Sequence, residues 1–203
     1  GYLHYAPEMH SGQSMRLTLE GDLRQALESG DQFELYYQPQ ISFSQRRTIG
    51  MEALIRWHHP RHGLMMPDTF IPLAEDTGMI VALGEWVVDR ALCQLASWRS
   101  RGFTSLQLAI NLSPKELERG DLPERILQRL NAYAIPAAAL DIEITENLLM
   151  NDAEKNISMV KQLRNCGLRV SIDDFGTRYS SLNYLRRFPI HSIKIDQSFV
   201  RDL

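Results

Sequence analysis

The hydrophobic positions of this chain change their period several times, and each change marks an element. After an opening stretch without periodicity, GYLHYAPEMHSG, apolar side chains recur at Leu17, Leu19, Leu23 and Leu27 with Ala26 between them. That spacing predicts an amphipathic helix which Gly30 would end. FELYYQPQ and TIGMEALIRW are rich in β-branched and aromatic residues and are separated by the polar SFSQRRT, which predicts two strands joined as a hairpin. DTFIPLAEDTG reads as a short helix, and MIVALGEWVVDRALCQLASWRSRG as a long buried one closed by Gly102. From there SLQLAINLS, LDIEITE, RVSIDDFG and HSIKIDQSFV read as strands, with the helical stretches PKELERGDLPERILQRLNAY, NDAEKNISMVKQLRNCG and YSSLNYLRRF between them. Strands alternating with helices imply a parallel sheet, either an open doubly wound sheet or a (β/α)8 barrel.

Strands of a parallel sheet are covered on both faces and are ordinarily apolar throughout. Five strands here break that rule in the same way, with Glu52, Asn111, Glu143, Asp173 and Lys194 each set among apolar residues and expected in the later half of its strand. Period-two counting puts Ile142 and Ile144 opposite Glu143, Ile172 opposite Asp173, and Ile193 and Ile195 opposite Lys194. Any one of these polar residues could be an isolated strand end bonded to a nearby loop. Recurring once per βα unit at the same end of successive strands, they predict one shared site at the C-terminal mouth of a barrel. Three acids and an amide are all oxygen donors, the set that suits a hard divalent cation such as Mg²⁺ or Mn²⁺. Without a cation, converging carboxylates would raise one another's pKa. Asp174 follows Asp173 directly, and strict alternation would send it to the other face; just before Gly176 the backbone is expected to be turning already, so Asp173 could bridge two ions while Asp174 holds the second. Lys194 would supply a fixed positive charge near a water or a phosphate.

The rest of the composition narrows the picture only slightly. The formal net charge of −3 leaves no general positive field of the kind that tracks duplex nucleic acid. Cys93 and Cys166 are the only cysteines and form no CxxC, so neither a zinc site nor a disulfide is indicated, and a reducing cytoplasm fits. No apolar run reaches the length of a membrane span, so any membrane anchor is expected outside this chain. GxGxxG and P-loop fingerprints are absent. His58, His59 and His62 crowd into a Pro/Gly-bearing loop and read as solvated histidines rather than ligands.

The triplet Glu52-Ala53-Leu54 stands within EALIRWHHP and is followed in order by FIPLAEDTGMI, LGEWVV, INLSP, IEITENLLM, DDFGT, YSSLNYL and KIDQSFV. This series resembles the EAL domain, the cyclic-di-GMP phosphodiesterase family. The resemblance implies a (β/α)8 TIM-type barrel with an irregular first strand pair, present here to about six of its eight strands. It implies that Glu52, Asn111, Glu143 and Asp173 coordinate one ion and that Asp173 and Asp174 serve a second. Glu52, Asp174 and Lys194 would be catalytic, Lys194 contacting the water. Gln38, Leu54 and Arg56 would contact the dinucleotide, and Glu146 would steady the loop after Asp174. By spacing alone, Glu146 could equally be an acid favoured at a helix N-terminus, and Arg56 a surface ion pair. The implied reaction is metal-dependent hydrolysis of cyclic-di-GMP to linear pGpG in bacterial second-messenger signalling.

YLHYAPEM resembles the tail of a GGDEF domain, so residues 1–14 are expected to be the end of an upstream GGDEF or sensory domain and residues 15–203 the EAL domain. The resemblance also implies a homodimer formed through such domains. Two departures qualify it. The family loop reads DDFGTGYSSL, and here Arg178 stands at the second glycine. A complete barrel takes roughly 250 residues, so the last two strands, with a further glutamate and glutamine of the family site, have no counterpart here. The alternative reading is therefore a catalytically impaired EAL module that binds cyclic-di-GMP or a protein partner as a sensor.

Overall fold

A computed structural model of the chain describes residues 7–150, 152–176, 186–199 and 201, with side chains from residue 15 onward except Met150. Helix α1 (Pro7–Ser29) leads into strands β1 (Phe33–Ser42) and β2 (Arg47–His59) and a short β3 (Gly63–Met65). Helices α2 (Pro67–Thr77) and α3 (Ile80–Ser100) follow, then β4 (Gln107–Asn111), α4 (Pro114–Leu117) and α5 (Leu122–Ala132). The chain continues through β5 (Leu140–Thr145), α6 (Glu146–Met150), α7 (Ala153–Asn165), β6 (Arg169–Phe175) and β7 (Ser192–Ile195).

The sheet order is β1-β2-β4-β5-β6-β7, with β3 paired to β2. β1 and β2 form an antiparallel hairpin, and every step from β2 through β7 is parallel. This is a (β/α) barrel wall that the described strands leave unclosed between β1 and β7. All six expected strands are present in order.

Five local expectations are corrected. α1 begins at Pro7, so part of the stretch without apolar periodicity is helical. The extra strand β3 exists because β2 runs on to His59 and turns back. Glu52 therefore lies in the first half of β2 rather than the later half. The helical stretch after β4 divides at Gly120 and Asp121, where Pro123 opens α5. His59 is not solvated: it is 3% exposed, and its Nδ1 accepts backbone N–H groups from Arg61 at 3.1 Å and His62 at 3.2 Å. That leaves the proton on Nε2, which donates to Asp22 of α1 at 3.1 Å. His58 and His62 are exposed. Arg178 and most of the expected helix YSSLNYLRRF lie outside the described residues.

Alternation governs packing in the middle strands. Leu108, Ile110, Leu140, Ile142, Ile144, Val170 and Ile172 are at most 1% exposed and share the face turned toward the helices. On the hairpin the same face carries Trp57, whose ring packs against Phe33 and Phe70 at centroid distances of 5.8 and 5.6 Å. The opposite face, inside the wall, is left to polar groups.

The turn after Asn111 is held from α4. Glu116 Oε2 accepts from Ser113 N at 3.1 Å and from Ser113 Oγ at 2.6 Å, closing a capping box at the start of α4. A methyl group on Gly84 of α3 would come within 1.8 Å of Glu116 Oε1. Gly84→Ala would otherwise gain about 1 kcal/mol of helix propensity, but it displaces a buried carboxylate whose hydrogen bonds are worth about 1.5–3 kcal/mol each. A net loss of about 1–3 kcal/mol is expected in urea unfolding, and an unchanged midpoint would refute this account.

Candidate metal centre

The ladder register determines which inward side chains meet. Glu52 of β2 lies opposite Ala109 of β4, Asn111 opposite Glu143 of β5, and Thr145 opposite Asp173 of β6. The strands are thus staggered, as barrel shear requires, and the polar residue of each reaches a common level at the C-terminal end. Carboxylate oxygens of Glu52, Glu143 and Asp173 lie within 4.8 Å of one another. Lys194 from β7 enters among them, donating from Nζ to Glu143 Oε2 at 2.7 Å, Glu52 Oε2 at 2.9 Å and Asp173 Oδ2 at 2.9 Å. Asn111 Nδ2 donates to Glu52 Oε1 at 3.0 Å, and the Asp174 amide donates to Asp173 Oδ1 at 2.9 Å.

One ammonium facing three carboxylates leaves a formal surplus of two negative charges. Glu143, 1% exposed, is where that surplus is relieved: burial, then the charge of Glu52, push its pKa up to about 8 against the pull of Lys194. Burial works against the charge of Lys194, but Glu143, Glu52 and Asp173 outweigh it and raise its pKa. The cluster therefore keeps the lysine proton and shares a further one at Glu143. The donor set, three carboxylates with an amide beside them, is that of a hard divalent cation, and the charge surplus equals that of one such ion. The residues fit Mg²⁺ or Mn²⁺.

Asp174 stands beside this convergent set. It has φ +54, and the register between β6 and β7 shifts between Ile172 and Phe175, so the two aspartates straddle a bulge instead of alternating along a regular strand. Burial, then the charges of Asp173 and Asp196, raise the Asp174 carboxyl. Glu146 is 3% exposed, and its Oε2 accepts the Gly176 amide at 2.8 Å. Gln38 pairs with Glu52, and Tyr36 with Leu54, so Gln38, Leu54 and Arg56 belong to the Glu52 face of the hairpin. The Arg56 guanidinium lies 5.3 Å over the Tyr36 ring and donates to Ile55 O at 2.8 Å.

A cavity of about 500 Å³ lies between β2 and helices α2 and α3, walled by Ile71, Pro72, Leu83 and Val87; of the residues around the centre only Asn111 lines it, together with Leu54. Beneath the carboxylates is a second polar layer that the sequence reading missed. Ser171 Oγ donates to Asp141, 2.8 Å from either carboxylate oxygen, and lies 2.6 Å from Ser192 Oγ. Asp141, Ser171 and Ser192 each precede a member of the centre by two residues, so period-two counting extended one step back would have found them. Gln40 of β1 was missed as well: its Nε2 lies 3.4 Å from Glu143 Oε1.

Residues 20–203 match the EAL domain family. The bifunctional diguanylate cyclase/cyclic di-GMP phosphodiesterase MucR of Pseudomonas aeruginosa is 41% identical over 203 residues, covering 100% of this chain and 30% of that protein. The cyclic di-GMP phosphodiesterase NbdA of the same organism is 42% identical over 190 residues, or 94% of this chain and 24% of that protein. The chain thus spans about a third or less of these curated relatives. Among solved structures, the PaMucR phosphodiesterase in complex with c-di-GMP superposes with a TM-score of 0.87 at 43% identity, covering 91% of this chain and 74% of that one. The FimX EAL domain from Pseudomonas aeruginosa bound to c-di-GMP gives 0.79 at 27%, over 90% and 72%. The chain belongs to the EAL domain family.

Proposed function

We propose that this chain is the catalytic domain of a cyclic-di-GMP phosphodiesterase that opens one phosphodiester of the cyclic dinucleotide to give linear pGpG. The observation that carries the reading is the convergence of Glu52, Glu143 and Asp173 around the Lys194 ammonium. Mg²⁺ or Mn²⁺ bound by Glu52, Asn111, Glu143 and Asp173, with a second ion at Asp173 and Asp174, would supply Lewis acidity and a water of lowered pKa. Glu143 would hold the ion as a carboxylate and so give up its proton. Lys194, which touches all three carboxylates, would offer its ammonium to the phosphate and the attacking water. Glu146 holds the turn after Asp174 through the Gly176 amide. Leu54 and Arg56 present an apolar and a cationic surface to the bases and phosphates.

The same reading places the domain in the cytoplasm as a homodimer, downstream of a GGDEF or sensory domain whose tail is residues 1–14. Among the described residues no helix is long and apolar enough to cross a membrane. A second reading, binding without cleavage, is supported by the likeness to the FimX EAL domain from Pseudomonas aeruginosa bound to c-di-GMP.

Turnover of cyclic-di-GMP in Mn²⁺ or Mg²⁺, followed by chromatography of pGpG, separates the two. Glu143→Gln and Asp173→Asn are expected to slow product formation at least about 100-fold, since even partners outside the ligand set cost about 10–100-fold at metal sites. Tight nucleotide binding with no pGpG would replace the enzyme reading with the sensor.

Proton linkage supplies an independent check. The folded pKa of Glu143, about 8, lies above its ordinary value of 4.5, so the folded state binds more protons than the unfolded one between those limits. The Glu143 contribution to the stability of the metal-free chain is therefore full below about pH 4.5 and declines as pH rises toward 8. Saturating Mn²⁺ removes this decline and releases protons at pH 7, read by denaturation across pH and by calorimetry in buffers of different ionisation enthalpy.

A further inference from the structure

β1 supplies no carboxylate to the centre, yet one of its side chains reaches it. We infer that Gln40 is a positioning residue for Glu143 and that Gly50 lacks a side chain to leave Gln40 its path; the inference rests on the proposed metal site.

Gln40 and Gly50 are direct partners in the antiparallel β1–β2 ladder, two positions along from the Gln38–Glu52 pair, so all four share the inward face. A methyl group on Gly50 would lie 2.7 Å from Gln40 Oε1 and 3.3 Å from Gln107 O. The space a side chain would fill at position 50 is therefore the space the Gln40 amide crosses. Crossing it brings Nε2 to 3.4 Å from Glu143 Oε1. Immediately beyond this pair the ladder slips, Ile41 pairing with Thr48, which sets Gln40 apart from the regular hairpin.

The two oxygens of Glu143 are thus held from opposite sides, Oε2 by Lys194 and Oε1 by Gln40. Glu52 is held in the same way, by Lys194 and Asn111. The two holders differ in charge. Lys194 competes with a divalent cation for the carboxylates, whereas the neutral amide of Gln40 does not. When a cation takes over from the ammonium, Gln40 remains to fix the rotation of Glu143. At 3.4 Å the hydrogen bond is weak, so its action is orientation of a ligand and not stabilisation of the fold.

The test is Mn²⁺ affinity of the full chain, measured by electron paramagnetic resonance of the free ion, alongside thermal unfolding without metal. Gln40→Ala is expected to weaken Mn²⁺ binding about 10-fold, as for other partners of metal ligands, with the metal-free Tm unchanged. Gly50→Ala is expected to weaken it equally, and in the Gln40→Ala background to add less than about 2-fold, since both changes remove one interaction. If Gly50→Ala fails to fold because of the Gln107 carbonyl, Gln40→Ala alone decides. Native-like Mn²⁺ affinity in Gln40→Ala overturns the inference and leaves the metal reading standing, as does a loss that tracks a fall in metal-free Tm. No Mn²⁺ binding by the native chain overturns both.

Discussion

Three carboxylates drawn from residues 52, 143 and 173 share a space that only a cation makes tolerable. Burying one such group alone costs several kcal/mol, and neighbours of the same sign add to it. The structure resolves the conflict with Lys194, which arrives on the last described strand and touches all three acids. What keeps the acids from moving apart lies on the other face of the same strands. Ile142, Ile144, Val170 and Ile172 are fully buried against the helices, and at about 25 cal/mol per Å² of apolar surface they hold the backbones that carry Glu143 and Asp173. The oily face stabilises the sheet so that the polar face can be electrostatically uncomfortable.

Much of this was legible because alternation is a local property. Glu143 between Ile142 and Ile144, and Asp173 after Ile172, announce their face by immediate neighbours, and the hairpin and parallel strands followed from composition and period. The missed residues depend on register, which no window of sequence contains. Nothing beside Gln40 says that it will cross Gly50 to meet a carboxylate 103 residues away. Nothing around His59 says that Asp22 of α1 will lie against it; the local pattern ends β2 at Trp57 and leaves the histidine in a loop.

The adjacency of Asp173 and Asp174 shows how a backbone departure serves chemistry. A regular strand would turn these carboxylates to opposite faces. The left-handed conformation at Asp174 costs about 1 kcal/mol for most side chains and less for aspartate, and the β6–β7 register shifts around it, between Ile172 and Phe175. Glu146 secures the next turn from beneath by accepting the Gly176 amide. Two consecutive acids can then hold different orientations with respect to one centre.

The order in which the site's parts occur along the chain carries a consequence for biosynthesis. The acids are translated first and their counter-charge last, since Lys194 lies 142 residues beyond Glu52 and 21 beyond Asp173. A ribosome that has released β2 through β6 presents a nascent sheet whose acids still lack their lysine, held together by its strand ladders and apolar face. Docking of β7 is thus both the next strand added to the wall and the step that first brings a positive charge among the three acids.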